Sequence, residues 1–155
     1  MPRKILEKGK IEKAKPEDID DILDIERESS PNPWKRSFFE EEFNNKISTI
    51  LVFRSFENRN IEGFIVFRKI IDIIEINNIA VKRKSRRKGI GWGLLSSLIE
   101  IAVGEKMESV FLEVRSQNKR AVQFYEKSGF KFLRIRKGYY NNPGDDALIL
   151  RLDLN

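Results

Sequence analysis

The chain has 155 residues, with 30 Lys and Arg against 24 Asp and Glu, a net charge of +6, no cysteine and no histidine. Disulfides, thiol nucleophiles and any ordinary zinc site are thereby excluded, and a general base has to be a carboxylate, a lysine, a tyrosine or a water held by one of them. The positive balance suits anionic partners and serves solubility equally well.

Residues 1–10 read as a loose basic arm and residues 11–155 as a single domain. No run of about 20 apolar residues suggests a membrane span. No apolar run follows Met1-Pro2-Arg3-Lys4, so the expectation is a cytoplasmic protein without a secretory signal. Ile11–Ala14 is a short strand candidate. Pro16 then opens a helix, with Glu17 and Asp18 near its positive end. Ile19, Ile22, Leu23 and Glu26 follow at helical spacing. Pro31 and Pro33 end it. A second helix covers Ser37–Asn44, with Phe38, Phe39 and Phe43 as its buried or ligand-facing stripe. Three strands are predicted next: Ile47–Phe56, Ile61–Lys69 after the Asn58-Arg59-Asn60 turn, and Asp72–Val81. The third is nearly continuous in Ile and Val, which predicts a strand covered on both faces, with Asn77-Asn78 as a candidate bulge.

Leu94, Leu95, Leu98, Ile99 and Ala102 form the apolar face of a helix between Gly89 and Gly104. Ser109–Arg115 is another strand. Asn118–Ser128 is a helix, with Ala121, Val122 and Tyr125 at its spacing and Gly129 as its C-terminal cap. Phe130–Arg136 and Ala147–Leu152 are the last strands, and Gly138–Gly144 is a loop by composition. The order βααβββαβαββ predicts a mixed α/β fold around one central sheet.

The run Arg86-Arg87-Lys88-Gly89-Ile90-Gly91 lies between a strand and a helix. Two glycines one residue apart allow a tight turn whose N–H groups can approach a ligand. The start of the following helix offers unpaired donors and a partial positive charge. Cations just upstream complete a site suited to a pyrophosphate. The plainer alternative is an ordinary strand-to-helix turn with a solvated charge run over 82–88. The run is not a dinucleotide fingerprint or a P-loop, because it lacks the third glycine and distant acid of one and the Lys-Ser/Thr pair of the other.

Four motifs occur in order: Asn78-Ile79-Ala80-Val81, the glycine run, Leu112-Glu113-Val114-Arg115-Ser116-Gln117-Asn118, and Phe124-Tyr125-Glu126-Lys127-Ser128-Gly129-Phe130. Together they make the chain resemble the GNAT superfamily of acyl-CoA-dependent N-acetyltransferases over about residues 11–152. Within it, the chain is similar to the RimI branch, which acetylates protein N-terminal α-amines. The resemblance implies a GNAT fold, a mixed central sheet with splayed middle strands flanked by helices.

It also implies acetyl-CoA as cosubstrate, with no metal. The backbones of Ile79, Ala80 and Val81 would pair with the pantetheine amides, and one N–H there would polarise the thioester carbonyl. Arg86, Arg87, Lys88, Gly89, Ile90, Gly91 and Trp92 would hold the pyrophosphate, and Asn118 would bond the cofactor. Glu113 would be the general base, because an α-ammonium with a pKa of about 8 is largely protonated at neutral pH. Tyr125 would protonate the departing thiolate. Trp34, Tyr139 and Tyr140 would line the acceptor groove, with Phe38 and Phe39 beside Trp34. Each also has a plain reading: Ile79, Val81 and Tyr125 as core, Glu113 as a solvent-facing strand residue, the aromatic residues as ordinary packing.

Arg86 stands where relatives often carry Gln, and Lys84-Ser85 replace a more usual pair. Neither change removes a backbone donor. The loop after Tyr140 differs from the bacterial RimI pattern and is also similar to archaeal N-terminal acetyltransferases. The expected reaction is direct attack by the amine in a ternary complex, without an acyl-enzyme. The expected acceptor is a protein or peptide N-terminus, in the first instance the alanine of a ribosomal protein. One alternative keeps the fold and takes a small amine or lysine side chain. Another is a non-enzymatic RNA- or ribosome-binding module using 82–88. That one ranks last, and no direct nucleic-acid role is expected, because no aromatic-interleaved basic patch is present.

Overall fold

The computed structural model describes residues 2–154. Its elements follow the predicted order: β1 (Gly9–Lys13), α1 (Ile19–Ser29), α2 (Arg36–Asn44), β2 (Ser48–Ser55), β3 (Ile61–Ile70), β4 (Ile73–Val81), α3 (Ile90–Gly104), β5 (Ser109–Arg115), α4 (Lys119–Lys127), β6 (Lys131–Tyr140) and β7 (Asp145–Asp153). The strands join one mixed sheet in the order β1-β2-β3-β4-β5-β7-β6. The β4–β5 pair is parallel, while β1–β2, β2–β3, β5–β7 and β6–β7 are antiparallel. This is the mixed central sheet with accompanying helices that the resemblance implied. Among the described residues, no helix is long and apolar enough to cross a membrane.

The chain divides into two compact units, and the division cuts β4 between Asn77 and Asn78. The first holds the residues up to Arg68 and Asn78–Ile101. Its core joins α1 (Ile22, Leu23, Ile25), α2 (Phe39), β2 (Ile50, Val52) and β3 (Ile61, Phe64, Val66) with Ala80. Phe39 meets Phe64 edge to face at 5.6 Å, a pairing that adds about 0.5–1.5 kcal/mol beyond its buried area. Ile19, Ile22 and Leu23 of α1 sit at i, i+3 and i+4, with Ile25 three beyond Ile22, which turns one stripe of the helix to this core.

The expected loose arm is a correction. Met1 lies outside the described residues, but Pro2–Glu7 forms a 3-10 helix that leads into β1. The physical reason is Ile5, which is only 4% exposed. It lies 3.4 Å from where a Cβ on Gly93 would stand and 3.8 Å from the equivalent point on Gly89. An apolar residue in a basic segment thus packs beneath the glycine turn and α3.

The second unit holds Lys69–Asn77 and the residues from Ala102 onward. Its β4–β5 ladder runs from Ile73↔Ser109 to Ile76↔Leu112 and ends there. That end falls beside the Asn77-Asn78 interruption.

Two further expectations need correcting. β4 is not covered on both faces: Ile74 and Ile76 are buried, whereas Ile73, Glu75 and Asn77 are half-buried. Glu75 and Asn77 are two positions apart, so they share one face. Gly138–Gly144 is not all loop either, since β6 runs through Tyr140 and only 141–144 form the turn. The glycine signal comes from a bulge within the strand. Gly138 has φ +61°, the register shifts between Arg136 and Tyr140, and the Gly138 N–H donates to Asp146 Oδ1 at 2.8 Å.

Candidate active site

In the first unit, β4 ends at Val81 and the chain turns through 3-10 residues Arg83–Ser85. Arg87 (φ +63°) and Gly89 (φ +94°) both take left-handed backbone, which lets the chain reverse tightly into α3. The Gly93 N–H donates to the Gly89 carbonyl at 2.9 Å and closes the first helical turn. The amides of Ile90 and Gly91 precede that bond and have no intrahelical acceptor. They sit at the positive end of a 15-residue helix.

The upstream cations differ in use. Arg86 is tied down, its Nε donating to the Val81 carbonyl at 3.0 Å and its Nη2 to Ser29 Oγ at 3.1 Å. Arg83 bonds the Glu28 backbone carbonyl through its guanidinium and the Glu28 carboxylate through its own N–H. Arg87 and Lys88 are exposed, so their charges remain available to an anion. Ile79 and Val81 are half-buried and Ala80 is buried. First-turn amides and available cations together fit a pyrophosphate.

Trp34 belongs to this unit. Its backbone N–H donates to the buried Glu26 carboxylate at 2.9 Å, and Asn78 Nδ2 donates to the other oxygen at 3.1 Å. The indole contacts Phe38 and Phe39 at 6.2 and 5.2 Å between ring centroids. Phe39 is wholly buried and Phe38 is 47% exposed. Phe39 is therefore core and cannot wall a groove, which corrects the expectation that paired it with Trp34.

In the second unit, β4, β5, β6 and β7 line a cavity of about 630 Å³. Glu75 and Asn77 come from β4, Glu113 from β5, and Arg134, Arg136, Tyr139 and Tyr140 from β6. The registers explain the gathering. Glu113 pairs with Ile149 of β7, which pairs with Arg134, and Arg115 pairs with Ala147, which pairs with Arg136. Glu113, Arg115, Arg134 and Arg136 thus share one face of the sheet.

Arg136 Nη1 donates to Glu113 Oε1 at 2.8 Å, and the Glu113 side chain keeps 34% exposure. Glu113 is thus a wetted carboxylate aimed by a cation. Arg136 also lies 4.2 Å from the Tyr139 ring centroid. Burial pushes the Tyr140 phenol above its ordinary pKa, and the negative charge of Glu113 adds to the rise while Arg115 opposes it. Tyr140 therefore stays a neutral hydrogen-bond donor at physiological pH. Asn77 Nδ2 donates to Glu75 Oε1 at 2.9 Å, which points its carbonyl oxygen away. That oxygen is buried and unpartnered, at a cost of about 1–3 kcal/mol.

The structure thus gathers Glu113, Tyr139 and Tyr140 around one cavity. Tyr125 is not among the lining residues. It is 4% exposed, with Phe124 and Phe130 edge-on at 5.2 and 5.4 Å, and burial raises its phenol pKa strongly. Asn118 is the N-cap of α4, accepting from the Ala121 N–H at 3.3 Å. Sequence reasoning missed Glu75, Asn77, Arg115 and Arg136. The alternation Glu75-x-Asn77 within an apolar run was the available signal for the first two.

Comparison with known proteins adds to this geometry. The model of the acetyltransferase (GNAT) family matches residues 19–130. A Bacillus subtilis (strain 168) protein, provisionally named [ribosomal protein bS18]-alanine N-acetyltransferase, is 33% identical over 96% of this chain and 97% of its own length. The crystal structure of the ribosomal-protein-S18-alanine N-acetyltransferase from Escherichia coli superposes with a TM-score of 0.87 at 26% identity, covering 95% of this chain and 94% of that one. NAA60 of Arabidopsis thaliana, solved in complex with acetyl-CoA, shares the fold with a TM-score of 0.83 at 18% identity over 95% of this chain and 99% of its own.

Proposed function

This chain belongs to the acetyltransferase (GNAT) family and is an N-acetyltransferase, and from that premise we propose that it transfers the acetyl group of acetyl-CoA to the N-terminal α-amine of a ribosomal protein, an alanine of the bS18 kind. The observation that carries the reading is the match, over 96% of this chain, to the protein provisionally named a bS18-alanine N-acetyltransferase. Family membership sets aside the non-enzymatic alternative. A cytoplasmic site of action follows from such an acceptor.

The amine attacks the thioester carbonyl directly, since the chain has no cysteine to carry an acyl group. Acetyl-CoA supplies the activated acyl group and a thiolate leaving group. First-turn amides of α3, with Arg87 and Lys88, hold its pyrophosphate, and the backbone of 79–81 lies along its pantetheine. Glu113 takes the proton of the α-ammonium, directly or through water. Its ion pair with Arg136 fixes the direction in which the carboxylate points. Tyr125 donates toward the thiolate. An ordinary phenol (pKa about 10) lies about 1.5 units above a thiol (about 8.5), so full transfer is uphill by about 2 kcal/mol. Burial steepens that climb. Tyr125 therefore acts as a hydrogen-bond donor that stabilises the leaving sulfur rather than as the acid the resemblance implies, and the second proton, lost by the attacking nitrogen as the amide forms, neutralises the thiolate. Tyr139, Tyr140 and Trp34 contact the acceptor peptide.

The test is steady-state kinetics with acetyl-CoA and an alanine-initiated peptide, with polyamine and free lysine as competitors. Glu113→Gln is expected to lower kcat by about 10²-fold. Preferential acetylation of the polyamine or lysine would overturn the acceptor, and an unchanged kcat would overturn the role of Glu113.

A further inference from the structure

Arg115 ends β5, two residues beyond Glu113 and on the same face. It has no place in the cavity lining, yet it grips the hairpin that supplies that lining. Nη1 donates to the Pro143 carbonyl at 2.7 Å, and Nη2 reaches the Asn141 carbonyl at 3.5 Å. The guanidinium carbon lies 4.2 Å from the centroid of the Tyr140 ring. One planar group therefore binds both sides of the β6–β7 turn and covers one face of a tyrosine. The next two residues extend the grip. Asp145 accepts from Ser116 Oγ at 2.6 Å and from the Gln117 N–H at 3.0 Å.

These contacts determine where Tyr140 stands. The residue is half-buried in the cavity wall and meets Tyr139 edge to face at 5.2 Å. Arg136 stacks on Tyr139 as Arg115 stacks on Tyr140. The two arginines lie in one row of the sheet with only Ala147 between them. Their jobs differ: Arg136 neutralises Glu113, whereas among the described residues Arg115 forms no ion pair.

We propose that Arg115 is a positioning residue of the acceptor site, holding Tyr140 and the 141–144 turn where the incoming peptide meets them. The proposal rests on the acceptor reading given above. A lysine cannot replace the arginine, because an ammonium has no plane to lay on the ring and no fork to span two carbonyls.

The test uses Arg115→Ala and Arg115→Lys in the full chain. Both are expected to raise the peptide KM about tenfold, with kcat and the acetyl-CoA KM changed by no more than about twofold, since binding at the peptide wall is lost and the chemistry is not. A purely structural role would lower the melting temperature, leave the peptide KM in place and be rescued by lysine. A peptide KM within about twofold of wild type in Arg115→Lys, with acetylation intact, overturns the proposal.

If wild type acetylates no peptide, the acceptor reading fails by itself, and the positioning role is then read without substrate. The chain has three tyrosines, so 3-fluorotyrosine labelling gives three resonances by 19F NMR, with Tyr140 identified by Tyr140→Phe. Both arginine variants are expected to shift or broaden that resonance and to leave that of Tyr125 in place. An unmoved Tyr140 signal overturns the role.

Discussion

Gly63→Ala tests how closely the glycine turn is bound to the sheet. A Cβ on Gly63 would stand 2.8 Å from Ile90 Cγ2, 3.2 Å from the Ala80 carbonyl oxygen and 3.2 Å from Leu94 Cδ1. Ile90 and Leu94 are fully buried, and a β-branched side chain at a helix start has few rotamers to retreat into. Ala80 presents backbone. The added methyl is therefore accommodated by moving the start of α3 away from β3. Overpacking of this kind costs about 1–3 kcal/mol, and the smaller conformational freedom of unfolded alanine returns about 0.4–1 kcal/mol. A net loss of about 1–2 kcal/mol in a chain of this size lowers Tm by about 2–8 °C. Because α3 begins with the amides assigned to the pyrophosphate, the acetyl-CoA KM is expected to rise about threefold or more, with the peptide KM unchanged. Thermal melts by circular dichroism and two-substrate kinetics measure both effects. A Tm at or above wild type would refute the packing argument, and a lower Tm with unchanged acetyl-CoA KM would refute the link to the cofactor.

Two further outcomes follow from single side chains. Burial alone would raise the pKa of Glu42, but hydrogen bonds from Arg68 and Ser48, with the charge of Arg68, hold it below its ordinary 4.5. A lowered folded pKa gives stability that is present above the unfolded value and lost as pH falls through the folded one. Glu42→Gln is expected to destabilise by about 1–2 kcal/mol at pH 7, and melts from pH 7 to 3 should show that deficit shrinking below about pH 4.5; a constant deficit counts against it. At Asn118, loss of the cap in Asn118→Ala is expected to cost about 1 kcal/mol of stability, whereas Asn118→Asp keeps the cap. If Asn118 also binds the cofactor, both variants raise the acetyl-CoA KM; a wild-type KM in Asn118→Asp would leave it only the cap.

What the sequence revealed and what it concealed divide along physical lines. The elements were legible because periodicity and glycine act locally: α1 shows its buried stripe at i, i+3 and i+4, and Gly89 can only serve a turn of its kind. The arm was misread because one apolar residue, Ile5, outweighs its basic neighbours once Gly89 and Gly93 leave room for it. β4 was misread because its isoleucines hid the alternation of Glu75 and Asn77. Glu113 was legible as a motif residue, but its cation was not. Arg136 lies 23 positions away, and β6 is not even the neighbour of β5, since β7 runs between them. The register sets Arg136 opposite Ala147 of the intervening strand, two positions from the Ile149 that faces Glu113, and no local rule foretells that register. The same holds for Arg115. Spacing places it on the face of Glu113, yet only the hairpin register decides that it meets carbonyls and a tyrosine ring rather than an acid. Charge at the cavity is thus set by strand order more than by motif. Swapping Ala147 for a larger residue should therefore disturb Glu113 and Tyr140 together, although it touches the motif of neither.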